Sequence, residues 1–238
     1  MLKNRVGSII LASMILVSST AFVFADETTT GNIQKLDTVE TEMTSGWVQR
    51  EGSHYYNEED GAAKGWKKID GKSYFFWSKT GKLAEGWTKI NGKTYYITRE
   101  NGRREGITKL PDGKTYNFSK DGVLTPGIVK KDGKTYCFDS KGVLVGKGKQ
   151  YKSNASAYSG HSRTSTGQKP KFGTIAVDPK VIPYGSKVYI PYFNKVFVAN
   201  DCGGAIKGTK IDIFMNSSKE CYKFGRRNID IVVLEQGK

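Results

Sequence analysis

Residues 151–238 hold six carboxylates able to do chemistry: Asp178, Asp201, Asp212, Glu220, Asp230 and Glu235. Two of them have settings suited to proton transfer. Asp201 precedes Gly203-Gly204, where a main chain without side chains lets a ligand approach closely. Asp212 lies between Ile211 and Ile213 in a strand-like run, so alternation turns its carboxyl away from both isoleucines. A partly desolvated carboxyl beside a second carboxylate keeps its proton to higher pH and can donate it near neutrality. The same two residues would serve equally as turn caps or as acceptors for backbone amides. On composition alone the capping reading is the stronger one.

The elements that would position these groups are short. Apolar and β-branched runs occur at Thr174 to Val177, Val188 to Ile190, Val196 to Val198, Ile211 to Phe214 and Ile229 to Leu234. Turn signals separate them at Pro183-Tyr184-Gly185, Asp201 to Gly204 and Lys207-Gly208. No helical period is present beyond a short turn after Ser217-Ser218. Several short strands in so small a region predict a small closed β-barrel over 151–238. Gly146-Lys147-Gly148-Lys149 reads as a short linker ahead of it.

Upstream of that linker the chain repeats. Gly46-Trp47, Gly65-Trp66, Gly86-Trp87, Gly106-Ile107 and Gly127-Ile128 recur at intervals of 19, 21, 20 and 21 residues. Each unit continues with a turn pair: Glu51-Gly52, Asp70-Gly71, Asn91-Gly92, Asp112-Gly113 and Asp132-Gly133. An aromatic group and a second glycine turn follow. Asp-Gly and Asn-Gly accept positive φ at both central positions of a hairpin turn. One hairpin cannot bury enough surface to stand alone, whereas about five stacked in sequence can. The spacing therefore predicts a β-hairpin solenoid over residues 45–146. Its rings would form the stacking core, and a ring-lined groove between neighbouring units could also meet sugar faces or a cation.

The fold class expected for the chain is all-β. The N-terminus reads as a secretory signal, 1–25: Lys3 and Arg5, an apolar run from Ile9 to Val17, and small residues at Val23 and Ala25. An uncleaved anchor is the alternative, but Ser18-Ser19-Thr20 interrupts a run already short for a span. Residues 26–44 are too poor in apolar side chains for a core and read as a flexible tether. The formal net charge is +15, from 38 Lys and Arg against 23 Asp and Glu. Cleavage removes two of those basic residues. An exported cationic protein points to an extracellular polyanion rather than to nucleic acid, and to no membrane span after cleavage. Two His and three Cys exclude most familiar zinc sites, and no G-x-G-x-x-G follows a strand, so neither metal nor cofactor is expected. The cysteines Cys137, Cys202 and Cys221 are odd in number, leaving a Cys202–Cys221 pair open.

The repeats resemble the cell-wall-binding repeats of Gram-positive surface proteins, the choline-binding and glucan-binding family. In choline-binding members the hairpin usually reads G-x-W-Y-Y. Here His54, Ser73, Thr94, Thr115 and Thr135 occupy the tryptophan place, and Ile107 and Ile128 replace the leading tryptophan. The resemblance implies wall binding, with a glycan or an anionic wall polymer as ligand in place of choline. Trp47, Trp66, Trp87, Tyr56, Tyr74 and Tyr95 are the binding candidates.

The C-terminal region resembles the 3D domain, a family named for three aspartates. The resemblance rests on Thr174 to Pro179, Ile182-Pro183-Tyr184-Gly185, Asp201 to Gly208, and Ile211 to Phe214. The three aspartates correspond to Asp178, Asp201 and Asp212. Cys202 stands where the family usually has Thr. The resemblance implies a double-psi β-barrel that cuts the MurNAc–GlcNAc bond of peptidoglycan glycan strands and leaves a 1,6-anhydro end. It makes Asp212 the acid and base, and Asp201 its electrostatic neighbour. Asp178 is the third catalytic candidate, with a turn-fixing role as its alternative. Tyr158, Thr166, Gly203, Gly204 and Lys207 are expected to line the cleft. A muramidase acting through an Asp201–Asp212 pair and water, and a wall-binding protein that cuts nothing, are the alternatives.

Overall fold

The computed structural model describes residues 45–235. The expected signal segment and tether lie outside the described residues. Strand dominates what is described. Strand β1 (Gly46–Arg50) pairs with β2 (Ser53–Glu58), which carries the short β3 (Gly61–Ala62). The next hairpins are β4 (Gly65–Ile69) with β5 (Lys72–Phe76), and β6 (Gly86–Ile90) with β7 (Lys93–Thr98) and the short β8 (Gly102–Arg103). Then come β9 (Gly106–Lys109) with β10 (Thr115–Phe118), and β11 (Gly127–Lys131) with β12 (Lys134–Phe138).

The turn chemistry explains four of the five hairpins. Glu51, Asp70, Asn91 and Asp132 sit at φ of 48°, 50°, 49° and 50°, each followed by a glycine at positive φ. That double left-handed geometry matches the twist of the flanking strands. The fourth hairpin departs from the expected turn. Pro111 lengthens its loop by one residue, and Asp112 keeps negative φ while Gly113 does not. The Asp112 carboxylate instead accepts the Lys114 amide at 3.0 Å and the Tyr116 hydroxyl at 2.7 Å.

Ring contacts hold unit to unit. Trp47, Trp66 and Trp87 each face a ring across their own hairpin: Tyr56, Phe75 and Tyr96. Each also packs edge-on against a tyrosine of the next unit, at 4.8 Å to Tyr74, 5.1 Å to Tyr95 and 4.9 Å to Tyr116. Ile107 and Ile128 face Asn117 and Cys137 in the last two units, so the ring stack ends there.

The run Gly146–Lys149 is not the linker expected from its glycines. It lies inside β13 (Leu144–Tyr158), a single strand of 15 residues. The first part of β13 pairs with β12 of the last hairpin. From Gly148 onward β13 pairs with β18 (Arg227–Leu234), so the two registers meet on one strand. Close approach explains the glycine: a Cβ on Gly148 would lie 2.0 Å from the Val233 carbonyl oxygen. Tyr189 and Val232 of the barrel bury Cys137 of the last hairpin in one cluster. Asn194 also donates to Ser140 Oγ and accepts the Ser140 amide, both at 2.9 Å.

The remaining barrel strands are β14 (Thr174–Ala176), β15 (Lys187–Ile190), β16 (Lys195–Asp201) and β17 (Ile211–Phe214). They close a ring in the order β13-β17-β14-β16-β15-β18 and back to β13. Two pairings are parallel, β13 with β17 and β14 with β16; the rest are antiparallel. This six-stranded closed barrel of mixed pairing meets the barrel expectation. Closure removes the open edges that small sheets otherwise expose. Ile175, Val188, Ile190, Phe197, Ala199, Ile211, Ile213 and Ile231 fill it, all fully buried. The one α-helix among the described residues, α1 (Ser218–Phe224), starts where Ser217 Oγ accepts the Glu220 amide.

Candidate functional site

Three adjacent strands bring the central residues together. Ala176 of β14 registers with Asp201 of β16 on one side and with Asp212 of β17 on the other. Directly opposed residues share a sheet face, so the two carboxyls flank Ala176 on one side of the barrel wall. On the far side of β17, Ser156 of β13 registers with Asp212. Ser156 and Tyr158, two apart on one strand, point the same way.

Asp201 is 6% exposed, and its oxygens are fully engaged. Oδ2 accepts the Tyr158 hydroxyl at 2.6 Å, while Oδ1 accepts the amides of Ser165 and Cys202, each at 2.9 Å. Burial by itself would raise this carboxyl, but the donors outweigh it and hold it below the ordinary carboxylate range. Burial also pushes the Tyr158 hydroxyl well above its usual range, with the Asp201 charge adding to the effect.

Asp212 behaves in the opposite sense. Burial raises its carboxyl, and the nearby Asp201 charge adds a smaller push upward. Ser156 Oγ, donating to Oδ1 at 2.8 Å, and the Arg226 charge oppose the rise without cancelling it. The site therefore pairs a fixed anion with a carboxyl predisposed to hold a proton.

Asp178 takes no hydrogen bond from this pair. Its oxygens accept the backbone amides of Gly208 at 2.9 Å and Lys180 at 3.1 Å, and the Gly208 bond is the main reason its carboxyl is lowered. It ties the end of β14 to the Lys207-Gly208 turn, so the exposed Lys207 stands by Asp178. The Thr166 hydroxyl donates to the Asn200 carbonyl at 2.8 Å, which braces the loop whose Ser165 amide holds Asp201. Gly203 and Gly204 form the turn after Asp201, neither with positive φ, and the space over Gly204 is open. His161 packs edge-on against Tyr158 at 5.4 Å. All three cysteines are free, and no three His, Cys, Asp or Glu side chains converge as a metal site among the described residues.

Residue typing overlooked Ser156, Ser165 and Arg226. The alternation Ser156-Ala157-Tyr158 is the signal that would have placed Ser156 beside Tyr158. Ser165 acts through its amide, so no side-chain pattern marks it.

In the repeats, the six candidate rings fall into two groups. Tyr74 and Tyr95 are 2% and 7% exposed and belong to the stacking core, because each is covered by the tryptophan of the preceding unit. Trp66 and Trp87 are 39% and 43% exposed, while Trp47 and Tyr56 are half-buried. The Trp47 face is already occupied: the Arg99 guanidinium lies 4.0 Å from its ring centroid. Arg103 stands 5.6 Å from the Trp66 ring. Among the described residues no cation covers Trp87.

This barrel, with its flanked aspartates, and the ring-stacked hairpins are each matched by a family. Residues 173–235 match the 3D domain, and residues 63–104 match the choline-binding repeat. The chain thus carries a 3D domain and repeats of the choline-binding type. It is 41% identical over 86 residues to the cell wall-binding protein YocH of Bacillus subtilis, a match spanning 35% of this chain and 30% of that one. Over a stretch of the same length it is 41% identical to YabE of that organism, named for cell wall shaping, covering 35% and 21% of the two chains. The match thus spans less than a third of either relative. Among solved structures, choline binding protein F of Streptococcus pneumoniae is 28% identical, covering 43% of this chain and 35% of that one, with a TM-score of 0.39.

Proposed function

We propose that this protein is exported to the wall of a Gram-positive bacterium, held there by its repeats, and cuts peptidoglycan glycan strands with its barrel. The bond is the MurNAc–GlcNAc linkage and the reaction a lytic transglycosylation. The observation that carries this reading is the opposed behaviour of Asp201 and Asp212 across Ala176.

Asp212, raised by burial, delivers its proton to the glycosidic oxygen as the bond to C1 breaks. The resulting carboxylate then takes the proton from the muramyl C6 hydroxyl as that oxygen attacks C1, which closes the anhydro ring and restores the acid. An internal nucleophile needs no separate base to activate water and gains from proximity. Hydrolysis would need the second carboxylate as base or nucleophile. Asp201 is poorly suited to that work, because both its oxygens are engaged by donors and its proton affinity is low. Its fixed charge suits the stabilisation of positive charge developing at C1.

The repeats would hold the wall by their uncovered rings and by cationic side chains. Arg99 fills the Trp47 face, which favours a glycan or an anionic polymer over a quaternary ammonium group at that place. The decisive experiment is digestion of purified wall followed by mass spectrometry of the soluble products. Fragments ending in 1,6-anhydromuramyl residues, each one water lighter than hydrolytic ends, are expected. Reducing muramyl ends would replace this reading by hydrolysis, and no soluble product would leave a wall-binding protein.

A further inference from the structure

The cavity next to the two aspartates contains groups that the proton chemistry does not use. It holds about 430 Å³ and lies between the end of β13, α1 and the Gly225-Arg226 turn. Ser156 and Tyr158 form its β13 wall, and these are the residues bonded to Asp212 and Asp201. Opposite them stand Tyr222 and Arg226. Tyr222 is 87% exposed, with its ring packed against nothing that would explain an aromatic at this position. Arg226 is exposed and, among the described residues, makes no ion pair. Its neighbour Arg227, by contrast, is tied down by the Phe224 and Lys223 carbonyls and by Tyr192.

An open ring offers a stacking face for a pyranose, and an unpaired guanidinium offers a planar fork for a carboxylate. We propose that this cavity is a subsite for an acidic sugar, in which Tyr222 stacks on the ring and Arg226 binds a carboxylate carried by it. The inference rests on the glycan-cleaving reading above. In a peptidoglycan strand the group that fits is the lactyl carboxylate of a muramyl residue freed of its peptide. Once a peptide is attached, that carboxyl is an amide and carries no charge. The subsite therefore selects strands stripped of their stem peptides. A carboxylate seated on Arg226 also offsets the positive charge beside Asp212, which favours the proton-donating form of that acid.

The test uses the full chain and uncleavable monosaccharides, followed by NMR titration. N-acetylmuramic acid is expected to bind about tenfold more tightly than its uncharged lactyl amide, the gain of one charge-assisted contact. Arg226→Gln should abolish that difference, and Arg226→Lys should restore part of it. Tyr222→Ala should weaken the acid and the amide by the same factor. Equal binding of acid and amide by the wild-type chain overturns the proposal. So does muramyl dipeptide, whose carboxylate lies on the peptide, if it binds as tightly as the free acid and is equally sensitive to Arg226→Gln. Acid selectivity retained in a protein that releases nothing from wall would sink the catalytic reading and leave the subsite standing.

Discussion

Asp201 and Asp212 stand opposite the same residue, Ala176, from the two strands that flank it. Two strand spacings of about 4.8 Å separate their backbones. The environments differ more than the positions. Asp201 is saturated with donors, whereas the Ser156 hydroxyl, the more distant charge of Arg226 and the Ile213 amide do not cancel the effect of burial on Asp212. Division of labour between two like residues follows from that difference.

Asp212→Asn is expected to lower glycan cleavage by at least 10²- to 10⁴-fold, the range typical for loss of a general acid–base, while wall binding is kept. The amide preserves the shape and can still accept from Ser156. Zymography with purified wall and a pelleting assay together check this. A folded, wall-binding variant that still releases anhydro-ended fragments at near wild-type rate would remove Asp212 from the mechanism.

The pH profile should move in opposite directions for two neighbours of Asp212. Ser156→Ala removes a hydrogen bond that favours the ionised carboxyl, so the carboxyl holds its proton to higher pH and the alkaline limb of activity shifts upward. Asp201→Asn removes a negative charge that favours the protonated form, so the limb shifts downward. Each shift should be up to about one pH unit, the worth of one such interaction. Initial rates of release of anhydro-ended fragments against pH would show the pair. Shifts of the same sign would contradict the assignment.

Much of this arrangement is legible in the residue order, and the parts that are not share a cause. Alternation around Asp212 and the apolar runs give five of the six barrel strands their places, and the Asp-Gly and Asn-Gly pairs give most of the hairpins theirs. The strand β13 is the principal miss. Its run Lys147 to Ser156 is polar and glycine-bearing because one side of the strand carries Gln150 and Lys152 to Asp230 and solvent. Glycine there marks close backbone approach rather than a hinge. The Tyr158–Asp201 bond joins residues 43 apart in sequence, and the Ser165 amide joins the same carboxylate from a loop with no motif. Buried Tyr74 and Tyr95 look like Trp66 and Trp87 in sequence, because a tandem stack repeats its covered and uncovered rings alike.

The continuity of β13 changes where the chain can be cut. A fragment beginning at residue 151 loses the pairing of Gly148, Lys149 and Gln150 with β18 and the cluster of Cys137 with Tyr189 and Val232. A fragment beginning at residue 126 keeps both. The longer fragment should melt cooperatively and several degrees higher. Gly148→Ala in the full chain should cost about 1–3 kcal/mol, because the Val233 and Leu234 backbone cannot yield to a Cβ as a side chain can. Thermal unfolding followed by circular dichroism measures both effects. Equal melting of the two fragments would mean that the last hairpin lends the barrel nothing.

Wall retention should depend more on Trp87 than on Trp47. The Trp87 face is open while Arg99 covers Trp47, so Trp87→Ala removes a contact surface and Trp47→Ala mainly loosens the stack. The expected loss for Trp87→Ala is about fivefold in affinity for insoluble wall, near the 1 kcal/mol of one ring contact. Sodium chloride should weaken retention through the cationic excess, and millimolar choline should not. Co-sedimentation at graded salt and choline tests all three statements. Elution by choline would assign the uncovered rings to a quaternary ammonium ligand.

Stability should respond to acid through Asp201 and to neutrality through Asp212, with opposite signs. The Asp201 carboxyl is lowered in the folded chain, so its contribution is complete above the ordinary carboxylate range near pH 4 and is lost as pH falls through the folded value. The Asp212 carboxyl is raised, so folding gains from it below that range and loses the gain as pH rises through the folded value. Asp212→Asn should therefore melt about 2–4 °C above the wild-type chain at pH 7, the shift that about 1 kcal/mol gives in a protein of this size, with the advantage gone at pH 3. Asp201→Asn should melt lower than wild type at pH 7 and draw level in acid, where the carboxylate is lost from both. Melting curves at the two pH values decide it. An Asp212→Asn protein that is less stable at pH 7 would show that the carboxylate, and not its proton, is what the fold holds in place.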